Sequence, residues 1–309
     1  MQFNTIDKTG NPENTTFSND LRLFIAHRAE LRLHPRLLIA ISEGAMFNAS
    51  RMDIRMFSPL MFLHNYYNFL EAKNAVQLEI EYIITPGLYA YSQLFVDQIQ
   101  ISGEVAGYET CELFPNAFGA MLGLQFIKPT EYGYVSGYAE SVLTSTYLYL
   151  RRNIPGDEDE ACKETLYYTN HYNLDFVQAY NRQGASFIGY RHGPDSFFNT
   201  LHLSYEQLDS FRVFGEVIFG IRGEQGLSLE GKEQVVDTGR EFLNQILPSG
   251  IKEYSLVAGM GGELLLDFIP AKLFSQVHTV HKWNYRNIKS EYFFDVQFVI
   301  GAALELNIL

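Results

Sequence analysis

The stretch Leu21-Arg22-Leu23-Phe24-Ile25-Ala26-His27-Arg28-Ala29-Glu30-Leu31-Arg32-Leu33 alternates with a period of two. Leu21, Leu23, Ile25, His27, Ala29, Leu31 and Leu33 share one face; Arg22, Phe24, Ala26, Arg28, Glu30 and Arg32 share the other. Successive side chains of a strand point to opposite sides, so the pattern predicts a strand with one apolar and one charged face. Its length separates two classes of protein. Globular strands usually run about 5–6 residues, whereas a strand crossing a bilayer needs about 9–11.

The pattern recurs along the chain. Val76, Leu78, Ile80, Tyr82 and Ile84 alternate with Gln77, Glu79, Glu81, Ile83 and Thr85. Phe118, Ala120, Leu122, Leu124 and Phe126 alternate with Gly119, Met121, Gly123 and Gln125, so small residues fill the second face there. Phe211, Val213, Gly215, Val217, Phe219 and Ile221 form a further stripe, and Phe294, Val296, Phe298, Ile300, Ala302, Leu304, Leu306 and Ile308 form the last. Connections alternate as well. Short turns at His34-Pro35-Arg36, Pro86-Gly87-Leu88, Lys128-Pro129-Thr130, 207–210 and Ile269-Pro270-Ala271-Lys272 are separated by long segments near 48–73, 100–116, 150–195 and 223–252 and a shorter one at 284–290.

This layout predicts an all-β protein, an antiparallel transmembrane β-barrel of outer-membrane type with tight turns at one rim and longer loops at the other. The segments amount to about eleven strands, and closed bacterial barrels have an even number, so at least one strand is expected to precede Leu21. Residues 1–19 then read as the remnant of an upstream loop and 20–309 as a barrel incomplete at its N-terminus. The opening Met1-Gln2-Phe3-Asn4-Thr5 has neither a basic nor an apolar leader region, so a signal peptide is expected further upstream.

Composition agrees with these readings and excludes others. The chain has 309 residues, with 23 Lys and Arg against 36 Asp and Glu for a net charge of −13, which argues against nucleic acid as a partner. It has no run of about 18 apolar residues to make a membrane helix. The 24 Phe and 20 Tyr against a single Trp suit β structure with interfacial aromatics.

Pairing across a two-residue turn at Pro35 and Arg36 places Arg28 opposite Glu43. A three-residue turn at 86–88 pairs Gln77 with Asp97 and Glu81 with Gln93. The charged sides would then coincide, and in a barrel that common face is the lumen, since Arg or Lys facing lipid at mid-depth costs about 2–4 kcal/mol. The alternative architecture is an antiparallel sandwich with one wet face.

The segments Phe24-Ile25-Ala26-His27-Arg28-Ala29-Glu30-Leu31-Arg32, Ile41-Ser42-Glu43, Phe57-Ser58-Pro59-Leu60-Met61-Phe62, Asn74-Ala75 and Gly87-Leu88-Tyr89-Ala90-Tyr91-Ser92-Gln93-Leu94-Phe95-Val96-Asp97 resemble successive blocks of the capsule assembly Wzi family. Gly189-Tyr190-Arg191-His192-Gly193-Pro194-Asp195-Ser196 is similar to a further block. The resemblance implies an outer-membrane barrel of roughly eighteen strands, within the 8–26 range of such barrels. It also implies a preceding helical segment and a non-enzymatic lectin that holds capsular or exopolysaccharide on the bacterial surface. A porin or solute channel, and a surface adhesin, are the alternatives.

A lumen polar network is expected from Arg28, Glu30, Arg32, Glu43, Glu79, Glu81 and Asp97. Two facing acids are what glycoside cleavage needs, but barrel interiors are polar anyway and such pairs brace neighbouring strands, so no catalytic residue is assigned. Polysaccharide contact calls for aromatic faces beside polar groups. The candidates are Tyr66 and Tyr67 beside His64 and Asn65; Tyr167, Tyr168 and Tyr172 beside His171 and Asn173; and Trp283 and Tyr285 beside Arg286. Taken singly, each fits an interfacial girdle or loop packing better, and neither needs a ligand.

His278 and His281 lie three apart on a strand and point to opposite faces, so no metal site is assigned; no cofactor is expected. Gly193, Pro194 and Asp195 carry turn chemistry, and their place in a family block suggests a loop folded into the lumen. Helical spacing of Val235, Phe242, Leu243 and Ile246 predicts a short amphipathic helix within 229–247. Cys111 and Cys162 fall in outer loops, where a disulfide and two free thiols are both open. The expected partners are outer-membrane lipid and polysaccharide, with the chain acting as a monomer in the bacterial outer membrane.

Overall fold

A computed structural model describes residues 21–49, 72–99, 116–153, 189–208, 210–224, 248–266 and 271–304, together with short strand pieces at 3–4, 17–18, 166–170, 173–174, 186–187 and 234–236. Eleven strands form one antiparallel sheet. They are β1 (Leu21–His34), β2 (Leu37–Ala49), β3 (Ala72–Thr85), β4 (Leu88–Gln98), β5 (Ala117–Pro129), β6 (Gly133–Thr144), β7 (Ser196–Gln207), β8 (Phe211–Arg222), β9 (Glu253–Leu266), β10 (Ala271–Trp283) and β11 (Tyr292–Leu304). Each pairs with its neighbours in chain order, so the sheet is a continuous meander from β1 to β11. Short connections lie at one end and longer ones at the other, in the predicted alternation. Among the described residues there is no α-helix, and no helix is long and apolar enough to cross a membrane.

Each strand runs 11–14 residues, twice the usual globular length. The register carries one apolar face across the sheet. Ile41, Leu78, Leu94, Leu122, Leu201, Val217, Met260 and Phe298 lie on it, and it is exposed; Ile300 keeps 83% and Phe298 72% of its surface accessible.

The opposite face is polar and concave. One cavity of about 390 Å³ is lined both by Ala26 of β1 and by Tyr190, next to the start of β7. Those strands are six apart in the sheet, roughly 29 Å at about 4.8 Å per strand. Strongly twisted sheets of this size curl rather than stay open.

Two register expectations need correction. Arg28 faces Ser42, and Glu43 faces His27. His34 pairs with Leu37 as a two-residue turn requires, but the register shifts between Arg32 and His34. One extra residue in a strand reverses every side chain beyond it, so Glu43 lies on the face opposite Arg28. In the second hairpin Gln77 faces Phe95, Glu79 faces Gln93 and Glu81 faces Tyr91. The turn there is Pro86 and Gly87 alone, and a further shift falls between Ile83 and Thr85. Those two single-residue steps restore the facing, so the partners move while the shared polar face survives.

The helix expected within 229–247 is corrected at the three described residues. Gln234–Val236 is a strand paired with residues 166–168, and residues 167–170 pair on their other side with 150–153. A backbone partner from a distant loop overrides weak helical spacing. Phe3–Asn4 pairs with Phe17–Ser18 within the segment read as a loop remnant.

Candidate functional site

At the long-loop end, the Gly193, Pro194 and Asp195 turn is the centre of a buried knot. Gly193 has φ +77°, open to a residue without Cβ, and its N–H donates to the Tyr190 carbonyl at 2.8 Å. Asp195, 0% exposed, also has a positive φ of 55°. Its Oδ1 accepts from Thr146 Oγ1 at 3.0 Å and the Ser249 N–H at 2.8 Å, and its Oδ2 from Ser249 Oγ at 2.6 Å. Its backbone N–H donates to Ser145 O at 3.1 Å, while its carbonyl accepts from the Gly223 N–H at 2.8 Å. A Cβ at Gly223 would sit 2.0 Å from Asp195 Oδ2. One carboxylate thus ties together the segments that follow β6, precede β7 and separate β8 from β9. Buried acceptors survive only when satisfied in this way.

Aromatic rings extend that knot. Tyr149 packs on Phe95 at 5.8 Å, its N–H donates to Asp97 Oδ2 at 3.1 Å, and its hydroxyl accepts from the Tyr190 N–H at 3.0 Å. Asp97 sits where the β4–β5 register shifts. Burial pushes the Tyr147 and Tyr190 hydroxyls up to about 12. His192 stacks on Phe198 at 3.7 Å and 8°. Burial, reinforced by Arg191, Arg222 and Lys282, lowers it from 6.5 to about 4, so the ring is neutral near pH 7.

At the short-turn end the polar face is built from strands alone. Arg28 on β1 bonds Glu30 at 2.7 Å and also Glu79 of β3, to which Gln77 donates at 2.7 Å. Arg32 reaches the Pro35 carbonyl at 3.4 Å. Arg32, Arg36, Glu79, Glu81, Tyr89 and Tyr91 help line a cavity of about 460 Å³. Of the expected network, Arg28, Glu30 and Glu79 are joined directly, and Arg32 and Glu81 lie nearby. Asp97 belongs to the other end, and Glu43 to the other face.

Beyond that cavity, side chains cross strands over residues that leave room. Tyr91 on β4 donates to Glu140 Oε2 on β6 at 2.9 Å, passing over β5 at Gly123, whose missing Cβ would fall 2.1 Å from the Tyr91 Cζ. Only a glycine admits the ring. Tyr89 donates to Gln125. Tyr138 reaches Glu216 at 3.5 Å, and Glu216 Oε2 lies 3.8 Å from His202 Nδ1. The Tyr138, His202 and Phe214 rings follow one another on β6, β7 and β8, with centroids 5.2 and 5.9 Å apart and planes 15° and 23° off parallel. None of these residues is among the sequence candidates, although Tyr89, Tyr91 and Gln93 show the period of two that places them on the charged face.

Of the predicted sugar-contacting aromatics, Trp283 and Tyr285 are those whose side chains are described. Tyr66, Tyr67 and Tyr172 lie outside the described residues, as do Cys111 and Cys162. Tyr167 and Tyr168 belong to the short strand Leu166–Asn170, so they are not in an irregular loop. Trp283 lies on the apolar face, paired with Tyr254 and Tyr292. Tyr285 packs against Phe293 at 4.7 Å, with Lys282 and Arg286 cations 5.4 and 5.1 Å from its ring. Its face is occupied by packing rather than offered to solvent. His278 pairs with Gly259 and His281 with Leu256, on opposite faces. Among the described residues no group of three His, Cys, Asp or Glu side chains is placed to hold a metal.

No protein-family model matches this chain, and no curated protein matches it either.

Proposed function

We propose that this chain contributes to an outer-membrane β-barrel that attaches capsular or exopolysaccharide to the bacterial surface without chemical turnover. The observation that carries this reading is the two-faced meander. Eleven long strands keep a continuous apolar face exposed on one side and a charged, concave face on the other. In water that apolar face would be an aggregation hazard; against hydrocarbon it is the stable arrangement, and lipid is the partner that fits it. Trp283, Tyr254 and Tyr292 at its long-loop end suit the membrane interface.

Attachment rather than cleavage suits the acids. Glu79 is held by Arg28 and Gln77, and Glu140 by Tyr91, so each braces the wall. Polysaccharide is favoured by the likeness to the capsule assembly Wzi family and by rings set beside carboxylates on the concave face. The chain is expected to act as a monomer. A second reading, a solute channel, draws on the polar cavity of about 460 Å³ with both signs of charge in its wall.

The test is to reconstitute the full chain in lipid. We expect retention on immobilised capsular polysaccharide and no steady conductance in planar bilayers. Open conductance without retention would favour the channel. Failure to enter lipid at all would overturn both.

A further inference from the structure

We propose that Arg191, His192 and Arg222 form an anion site at the long-loop end of the concave face, and that it takes the carboxylate of a uronate-type sugar. The inference rests on the attachment reading and gives its ligand a charge. Three observations carry it.

The first is placement. The Gly193 N–H returns to the Tyr190 carbonyl at 2.8 Å, so Arg191 and His192 are held within the turn that leads to Asp195. His192 stacks on Phe198 at 3.7 Å and meets Tyr190 edge-on at 5.3 Å. The Phe198 ring lies over Gly220, where a Cβ would fall 2.2 Å from it. Arg222 follows on the same face of β8 two residues later, roughly 7 Å away at about 3.4 Å per residue. Both guanidiniums bear on the His192 ring and on the Tyr190 hydroxyl.

The second is unused donor capacity. Arg191 is exposed and donates its Nε to His192 Nε2 at 3.0 Å; its two terminal nitrogens have no partner among the described residues. An accepting Nε2 places the proton of the neutral ring on Nδ1, which is a further donor. The Arg222 Nε is buried without a partner, and a buried cation left unpaired is destabilising. Arg212, whose Nε is buried likewise, has compensation that Arg222 lacks. It stands over the Phe214 ring at 5.6 Å, with Glu206 and Glu263 opposite it on the neighbouring strands.

The third is the engagement of the nearby acids. Glu253, opposite Arg222, accepts from Lys282 Nζ at 3.3 Å and from the Arg286 N–H at 2.8 Å. Asp195 accepts from Thr146 and Ser249, and Glu224 from the Ile251 N–H at 2.8 Å. Two guanidiniums are thus left without an ion pair among the described residues, in a chain of net charge −13. A guanidinium fork matches a planar carboxylate with two parallel hydrogen bonds. A neutral sugar leaves the buried charge unanswered, so the site selects acidic residues of a glycan.

Titration of the full chain in detergent with hexagalacturonate and with maltohexaose tests this. Hexagalacturonate should bind at least tenfold more tightly, and Arg191→Gln and Arg222→Gln should each weaken it at least tenfold. Arg191 is exposed, so its variant should keep the melting transition of the wild type. Arg36→Gln makes the same change of charge at the short-turn end and should leave affinity unchanged. Equal affinity for the two oligosaccharides, unchanged affinity in both site variants, or an equal loss in Arg36→Gln overturns the site. If an acidic capsular polysaccharide is held equally by the wild type and both site variants, the site falls and attachment stands. If hexagalacturonate binds through these arginines but polysaccharide is not retained, the site stands and attachment falls.

Discussion

Asp195 and Glu140 are both acids, the first in the loops at the long-loop end and the second within the strand ladder of the concave face. Asp195 has no exposed surface and takes three hydrogen bonds from Thr146 and Ser249, delivered by loops. Glu140 is half-exposed and takes its bond from Tyr91, two strands away along a regular ladder. A buried, saturated carboxylate has no capacity left for a ligand and serves as a clamp. A half-exposed one on a rigid ladder keeps lone pairs for a visitor while its position is held by the sheet. Burial and saturation, more than residue type, separate a clamp between loops from an acid that still has acceptor capacity.

The largest test of this contrast is Asp195→Ala. It leaves three buried donors without their acceptor, and breaking such a charged, hydrogen-bonded group costs about 3–5 kcal/mol. Hydrogen exchange should show the Ser249 and Tyr149 amides losing protection while the β4–β5 ladder amides keep theirs. A ladder that loosens equally would mean the two ends are one cooperative unit.

A smaller effect comes from His192. Its folded value of about 4 lies below the ordinary 6.5, so it is held neutral. On acidification the opened loop takes up a proton before the closed one does. The contribution to closure is therefore present above about 6.5 and lost as pH falls toward about 4. Exchange at the Tyr190 amide, followed from pH 7 to 4, should accelerate relative to the ladder amides, and His192→Phe should flatten that dependence. A dependence unchanged in the variant would remove His192 as its source.

The smallest effect belongs to the short-turn end. Arg28→Ala removes a bridge whose side chains are 38% and 13% exposed, and exposed pairs contribute about 0–1 kcal/mol. Denaturation in detergent should shift little; a loss near that of Asp195→Ala would show that the strand-built end is also a clamp.

The strands were readable because a strand's side-chain direction is set by local backbone geometry. Leu21 to Leu33 needed no distant partner to be recognised, and neither did the turn at Pro35 and Arg36. The sequence points to outer-loop aromatics for sugar contact, yet Tyr285 packs on Phe293 and Trp283 lies on the apolar face. The stack of Tyr138, His202 and Phe214 has no local signature, because the three come together only through pairing of β6, β7 and β8.

By itself, then, the sequence determined a long-stranded, two-faced antiparallel sheet with short and long ends, because a period of two is a local property. Tertiary structure decided register and contact. The irregularity between Arg32 and His34 took Glu43 away from Arg28. Pairing across β5 laid Tyr91 over Gly123, and Asp195 found Thr146 and Ser249 from 49 and 54 residues away. Those outcomes depend on where distant segments meet, and no local pattern encodes that.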